Sequence, residues 1–253
     1  MKKMGLTNGE IAEIRVFLKK AKNPIFFFDD DSDGLAAALT LKKKYNRGVM
    51  VPLKVSPHAD QIYLSKVEEH RPDAIFILDR PIVVQSVFDQ IKVPAIWIDH
   101  HEPKECFNVH YYNPTILDKN DNRCTSYWAY QVAKKNMWIA MIGIVGDWQI
   151  PDFMPKFPYK KLLNKKKTPP EIMFDSEFGK IIKIFHFNLK GQTTDVKKSI
   201  ACLEKIKTPH ELLEKKTDEA KFLYSRYEKV NKEYQSLFKS AMESDEPGDP
   251  YVF

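Results

Sequence analysis

Over the first 150 residues the chain alternates between two kinds of segment. Short apolar runs rich in β-branched and aromatic residues, "IFFF", "VMVPLKV", "AIFIL" and "AIWI", are separated by longer stretches in which apolar and polar positions follow a helical period. The runs predict strands at Ile25–Phe28, Val49–Val55, Ala74–Leu78 and Ala95–Ile98. The longer stretches predict helices at Asn8–Lys20, Leu35–Tyr45, Ile62–Glu69, Val83–Gln90 and Thr125–Lys135. That alternation is the signature of an α/β fold, a mostly parallel sheet flanked by helices. One further apolar run, "WIAMIGIVGDW", fits a buried strand and a buried helix equally well.

Beyond Asp147 the pattern changes. The segment "PKFPYKKLLNKKKTPP" has six lysines and four prolines and reads as a basic surface loop, either merely solvated or contacting phosphate. From His210 to Glu243 the chain is helical, and Ala220, Leu223, Tyr227, Val230, Tyr234, Leu237 and Ala241 form a stripe at alternating spacings of three and four. Such a stripe packs along a partner helix or the body of the protein. The division expected is a domain over 1–195 followed by a helical C-terminal extension over 196–253. The last residues, "ESDEPGDPYVF", hold turn chemistry and then a strand-like start, which predicts that more chain normally follows.

Composition narrows the class. At 253 residues and 43% hydrophobic content the chain can bury a sizeable core. No apolar run approaches the roughly 18 residues that span a bilayer. The N-terminus, broken by Glu10, Glu13 and lysines, is unlike a signal peptide, so a cytoplasmic location and no membrane partner are expected. Cys106, Cys124 and Cys202 are far apart and lack CxxC spacing, which indicates neither a disulfide framework nor a thiolate zinc site. The net charge of +6 points weakly to a polyanionic partner.

The chemistry is concentrated in carboxylates. "IFFFDDDSDG" runs from an apolar strand into Asp29, Asp30, Asp31 and Asp33; "AIFILD" ends on Asp79, "AIWID" on Asp99, and "MIGIVGD" closes on Asp147. Strand carboxyl ends in open α/β sheets line a common crevice, so carboxylates far apart in sequence are expected to converge there. Such a cluster repels itself unless cations compensate. Hard oxygen ligands suit Mg²⁺ or Mn²⁺, and imidazole from His100 or His101, directly after a strand, tilts the choice toward Mn²⁺. A calcium loop is disfavoured, because the twelfth position counted from Asp29 is Thr40 and the preceding segment is β-like.

The set Asp29-x-Asp31-x-Asp33-Gly34, Asp79, Asp99-His100-His101 and Asp147 in "GIVGDW" resembles the DHH phosphoesterase superfamily over roughly residues 23–152, and within it the RecJ-like nucleases. The resemblance implies two divalent ions, Mn²⁺ or Mg²⁺. Asp31 and Asp79 would hold one with Asp29 at its edge; Asp33, Asp79, His100 and Asp147 would hold the other, with Asp79 bridging. His101 would contact the scissile phosphate and Asp99 would orient the neighbouring imidazole. Asp30 stands where His or Tyr is common, and either supports the ligands or points to solvent. Arg80 would bind substrate phosphate or pair with a carboxylate. Thr125 and Ser126 are helix N-cap candidates, and that helix N-terminus is a phosphate site in reserve.

The function so implied is metal-dependent exonucleolytic hydrolysis of single-stranded DNA or RNA, with Trp148, Phe153 and Phe157 as stacking candidates or as ordinary core residues. A small-substrate phosphoesterase acting on oligoribonucleotides, cyclic dinucleotides or pyrophosphate is the alternative within the superfamily. A non-catalytic scaffold subunit of a replication or repair complex is the alternative outside catalysis. The glycine-rich motif of the usual second domain is missing among nine glycines. That domain is therefore expected to be lost, truncated or supplied by a separate polypeptide.

Overall fold

A computed structural model describes residues 5–54 and 59–243. In chain order the elements are α1 (Asn8–Lys20), β1 (Pro24–Asp29), α2 (Ser32–Tyr45), β2 (Val49–Leu53), α3 (Ala59–His70), β3 (Ala74–Leu78), α4 (Gln85–Gln90), β4 (Ala95–Ile98), β5 (His110–Tyr112), α5 (Pro114–Leu117), α6 (Thr125–Ala133), α7 (Met137–Gly146), α8 (Pro169–Asp175), α9 (Glu177–Asn188), α10 (Thr193–Lys205), α11 (Pro209–Leu213) and α12 (Asp218–Glu243). The chain divides into two compact units, Met1–Ile182 and Lys183–Phe253.

The first unit holds a five-stranded sheet of order β2-β1-β3-β4-β5, and every pairing is parallel. The α/β architecture expected from the alternating pattern is therefore present. Ile25 and Phe27 of β1, Ile75 and Ile77 of β3 and Trp97 of β4 face one side, where they share a core with Tyr63 of α3 and Val87 and Phe88 of α4. The intervening residues, among them Phe26 and Phe76 with rings stacked 5.2 Å apart, face the other side. There α2, α6 and α7 pack together. With both faces covered, the strands read as unbroken apolar runs.

One open choice and two differences from the expected elements have physical causes. The run "WIAMIGIVGDW" forms α7, a helix buried on nearly all sides, so Asp147 caps a helix rather than ending a strand. Helix α2 begins at Ser32 rather than Leu35, because the Asp31 carboxylate accepts the Gly34 N–H at 2.9 Å as its N-cap. Strand β5 is three residues long and only partly buried, too short and too polar to stand out in the pattern. Val55, the end of the second predicted strand, and the strand-like terminal run lie outside the described residues.

Gly34 is required by contact. A Cβ there would lie 2.5 Å from the Asp29 backbone carbonyl oxygen, so only glycine lets α2 start against the end of β1.

In the second unit, α10 and α11 pack on α12 around a buried polar knot. Asn188 donates to the carbonyls of Ile184 and Leu223 at 2.8 and 2.9 Å, and accepts from Ser199, which in turn accepts from Arg226. The stripe on α12 splits in two. Ala220, Leu223 and Tyr227 are buried, whereas Tyr234 and Leu237 are exposed, Leu237 at 72%. Ala241 of the stripe lies outside the described side chains. No helix among the described residues is long and apolar enough to cross a membrane.

Candidate metal centre

In the strand order β2-β1-β3 the chain leaves β1 in one direction and returns on its other side. The carboxyl ends of β1 and β3 therefore flank a topological switch point, the place where open α/β sheets bind ligands. Asp29 closes β1 and Asp79 follows β3 directly. The two-residue connection into α2 adds Asp31 and the first turn of α2 adds Asp33, and Asp99 with His100 and His101 follows β4.

Asp79 is the hub. It is 1% exposed and sits in the left-handed region at φ 60°, a costly conformation for a non-glycine residue. The conformation is fixed from three sides: its N–H donates to the Ile98 carbonyl at 3.0 Å, the Trp97 indole donates to the Arg80 carbonyl at 3.1 Å, and the Thr125 hydroxyl donates to the Asp79 carboxylate at 3.2 Å. His100 Nε2 lies 3.3 Å from Asp79 Oδ1 and 3.9 Å from Asp147 Oδ2. Asp79, His100 and His101 each offer a ligand atom within 4.8 Å of the others.

Asp33 is buried and anchors α6. Its two oxygens accept the backbone N–H groups of Thr125 and Ser126 at 2.8 and 2.9 Å. The cap position belongs to Cys124 rather than to Thr125 or Ser126, and this helix N-terminus is occupied by a carboxylate of the cluster instead of being open to phosphate. Asp147 is held by Gln149, whose side-chain amide donates to Asp147 at 2.9 Å and to the Asn122 carbonyl at 2.7 Å while accepting the Cys124 N–H. Asn113, buried after β5, donates to the His101 carbonyl at 2.8 Å and steadies the histidine segment. Neither Gln149 nor Asn113 carries a sequence signal, since each acts through backbone groups distant along the chain.

Two of the expected residues meet each other. The Arg80 guanidinium, itself buried, forms an ion pair with Asp29 and also donates to the Leu53 carbonyl. Asp29 is thus turned to Arg80, and Arg80 is engaged by Asp29 and the Leu53 carbonyl.

The charge balance is unfavourable as it stands. Burial first, and then the charges of Asp33, Asp31 and Asp99, push the Asp79 carboxyl well above its ordinary value. Burial and the charges of Asp33 and Asp29 raise Asp31. Burial, followed by Asp33 and Asp31, carries Asp147 up to about 7. The two histidines diverge: burial holds His100 below its usual range, hence neutral, whereas the 2.7 Å hydrogen bond to Asp99 raises His101 and favours its imidazolium. A neutral imidazole amid crowded, buried carboxylates is a donor set that fits a hard to borderline divalent cation.

Of the aromatic candidates, Phe153 and Phe157 are buried: Phe153 stacks on Tyr127 and lies tilted against Tyr130, and Phe157 meets Tyr159 and Phe178 edge to face. Trp148 is exposed.

No family model and no curated protein matches this sequence. Solved structures do match. RecJ in complex with Mn²⁺ from Thermus thermophilus is similar over 94% of this chain at 15% identity, TM-score 0.66, and this chain spans 40% of it. An exonuclease RecJ bound to manganese is similar over 94% of this chain at 14% identity, TM-score 0.63, with 69% of that chain spanned. The DHH domain of a member of the s1p family of ribosomal proteins is similar over 93% at 15% identity, TM-score 0.66, with 63% spanned. The chain has the RecJ-like DHH fold.

Proposed function

We propose that this chain is a divalent-metal-dependent phosphoesterase that hydrolyses phosphodiester bonds of single-stranded nucleic acid from an end. The observation that carries the proposal is the convergence of Asp79, His100 and Asp147 with Asp31 and Asp33 at the switch point, buried and half-buried carboxylates whose crowding cations would relieve. The RecJ-like fold, with manganese in two of the similar structures, supports it.

Asp31 and Asp79, together with Asp33, His100 and Asp147, are the side chains that would hold the divalent metal. Bound there, the metal supplies Lewis acidity that activates water and neutralises the phosphate oxygens. His101, with its imidazolium favoured by Asp99 and its side chain partly exposed, donates a hydrogen bond to a non-bridging phosphate oxygen. Arg80 keeps Asp29 in place beneath the ligands. Water gives up a proton to solvent as it attacks phosphorus, the bond from phosphorus to the leaving oxygen breaks, and that oxygen takes a proton from solvent and departs as a hydroxyl.

The test is degradation of end-labelled single-stranded DNA and RNA oligonucleotides with Mn²⁺, comparing the wild-type chain with Asp79→Asn and His100→Ala. Cleavage that needs Mn²⁺ and falls by at least about a hundredfold in both variants is expected. Cleavage that persists in both variants, or in chelator, would overturn the proposal. Hydrolysis confined to dinucleotides or pyrophosphate would replace the polymer substrate with a small one.

A further inference from the structure

We infer that Trp148 and Phe174 form a stacking platform for a nucleobase of the strand whose phosphate lies at the metal centre. The inference rests on the phosphoesterase reading and names how that site would recognise single-stranded substrate.

Among the exposed aromatics of the first unit, these two stand together. Trp148 is 57% exposed and Phe174 58%, with ring centroids 6.3 Å apart and planes at 47°. Trp97, Trp128 and Trp138 are all buried. Trp148 directly follows Asp147, so its backbone lies one residue from a candidate ligand.

Its outward position is built rather than incidental. Trp148 has φ 59°, in the left-handed region that an aromatic residue seldom occupies. The residues on either side are locked, Asp147 and Gln149 to each other at 2.9 Å and Gln149 also to Asn122 and Cys124. Backbone bonds from Trp148 to Val145 at 3.0 Å and from Gln149 to Ile144 at 2.9 Å close the turn. With both neighbours held, the indole is left exposed to solvent, one residue along the chain from Asp147.

The surroundings suit a polyanion. Lys166 pairs with Asp175, the residue after Phe174, at 3.4 Å, so the lysine-rich segment ends beside the aromatic pair. Aromatic faces flanked by lysines are the means by which proteins hold single strands without reading sequence, because every base has a π-face. An apolar protein partner would bury the same rings, but it would have no reason to seat them next to a cluster that binds phosphate.

Tryptophan fluorescence gives a direct reading, since the exposed indole is the one a ligand reaches. The full chain in Ca²⁺ is titrated with a short oligothymidylate and, separately, with an abasic strand of the same length. Expected are quenching by oligothymidylate and little by the abasic strand, loss of that quenching in Trp148→Leu, and a roughly ten- to hundredfold weaker affinity for oligothymidylate in Trp148→Leu and Phe174→Leu. Trp148→Phe, which keeps a ring, retains most of the affinity, and the abasic strand binds all forms alike. Equal affinity of the wild-type chain for both strands, or unchanged oligothymidylate affinity in Trp148→Leu, would overturn the platform. Mn²⁺-dependent cleavage without base-dependent quenching would overturn the platform and leave the phosphoesterase reading standing; quenching without cleavage would do the reverse.

Discussion

At the residue scale, Asp79 shows what the cluster lacks without a cation. It is buried, in a left-handed conformation, beside other carboxylates, with the guanidinium of the adjacent residue turned to Asp29. Carboxyls raised in the folded state bind protons that the unfolded chain releases, so between the ordinary carboxylate value near 3.8 and the value of about 7 at Asp147 the folded state holds more protons than the unfolded one. The stability of the metal-free protein therefore falls as pH rises through that window. Melting of chelator-treated protein is predicted to show a lower midpoint at pH 8 than at pH 5, with added Mn²⁺ raising it strongly at pH 8 and little at pH 5. A midpoint that rises with pH in chelator would contradict this. Arg80 supplies a second prediction at the same scale. Removing it in Arg80→Ala strands a partly buried Asp29 and is expected to cost about 3 kcal/mol in urea unfolding without metal. Mn²⁺ should recover more stability in this variant than in the wild type, because Asp29 is then released toward the ions.

At the element scale, α12 changes character along its length. Leu223, fully buried in the second unit, is expected to cost about 2–5 kcal/mol when replaced by alanine. Leu237→Ala on the exposed half should change the stability by less than about 0.5 kcal/mol. Comparable losses at both positions in denaturant titration would mean that the distal half is covered. The uniform stripe in the sequence did not reveal this division, because periodicity reports which face is apolar and not what lies opposite it. The strands were legible for the converse reason: buried on both sides, Ile25–Phe28, Ala74–Leu78 and Ala95–Ile98 are unbroken apolar runs, and the observed strands match them within a residue or two at each end. Helix α7 was not, since an apolar run buried all round has no period to distinguish helix from strand. Of the candidate site, Asp29, Asp79, Asp99 and the two histidines were visible as residue types at strand ends, whereas Asp147 caps a helix. The clamps from Gln149 and Asn113 and the seating of Asp33 on the α6 N-terminus depend on contacts between distant segments and leave no local pattern.

At the scale of the whole molecule, a parallel sheet brings the ends of β1, β3 and β4 to one edge, and α6 and α7 carry Thr125 and Asp147 to the same place. The fold thereby gathers negative charge in a protein whose net charge is positive, and the proposed role for cations is to compensate that local cluster. The most direct test of that account is calorimetric titration of chelator-treated protein with Mn²⁺ at neutral pH, alongside His100→Ala. Saturable binding, tightening as pH rises from 6 to 8 because protons must leave the carboxylates, and weakened by at least tenfold in His100→Ala, is the predicted result. A folded wild-type chain that binds no Mn²⁺, or binds it equally well without His100, would contradict the account.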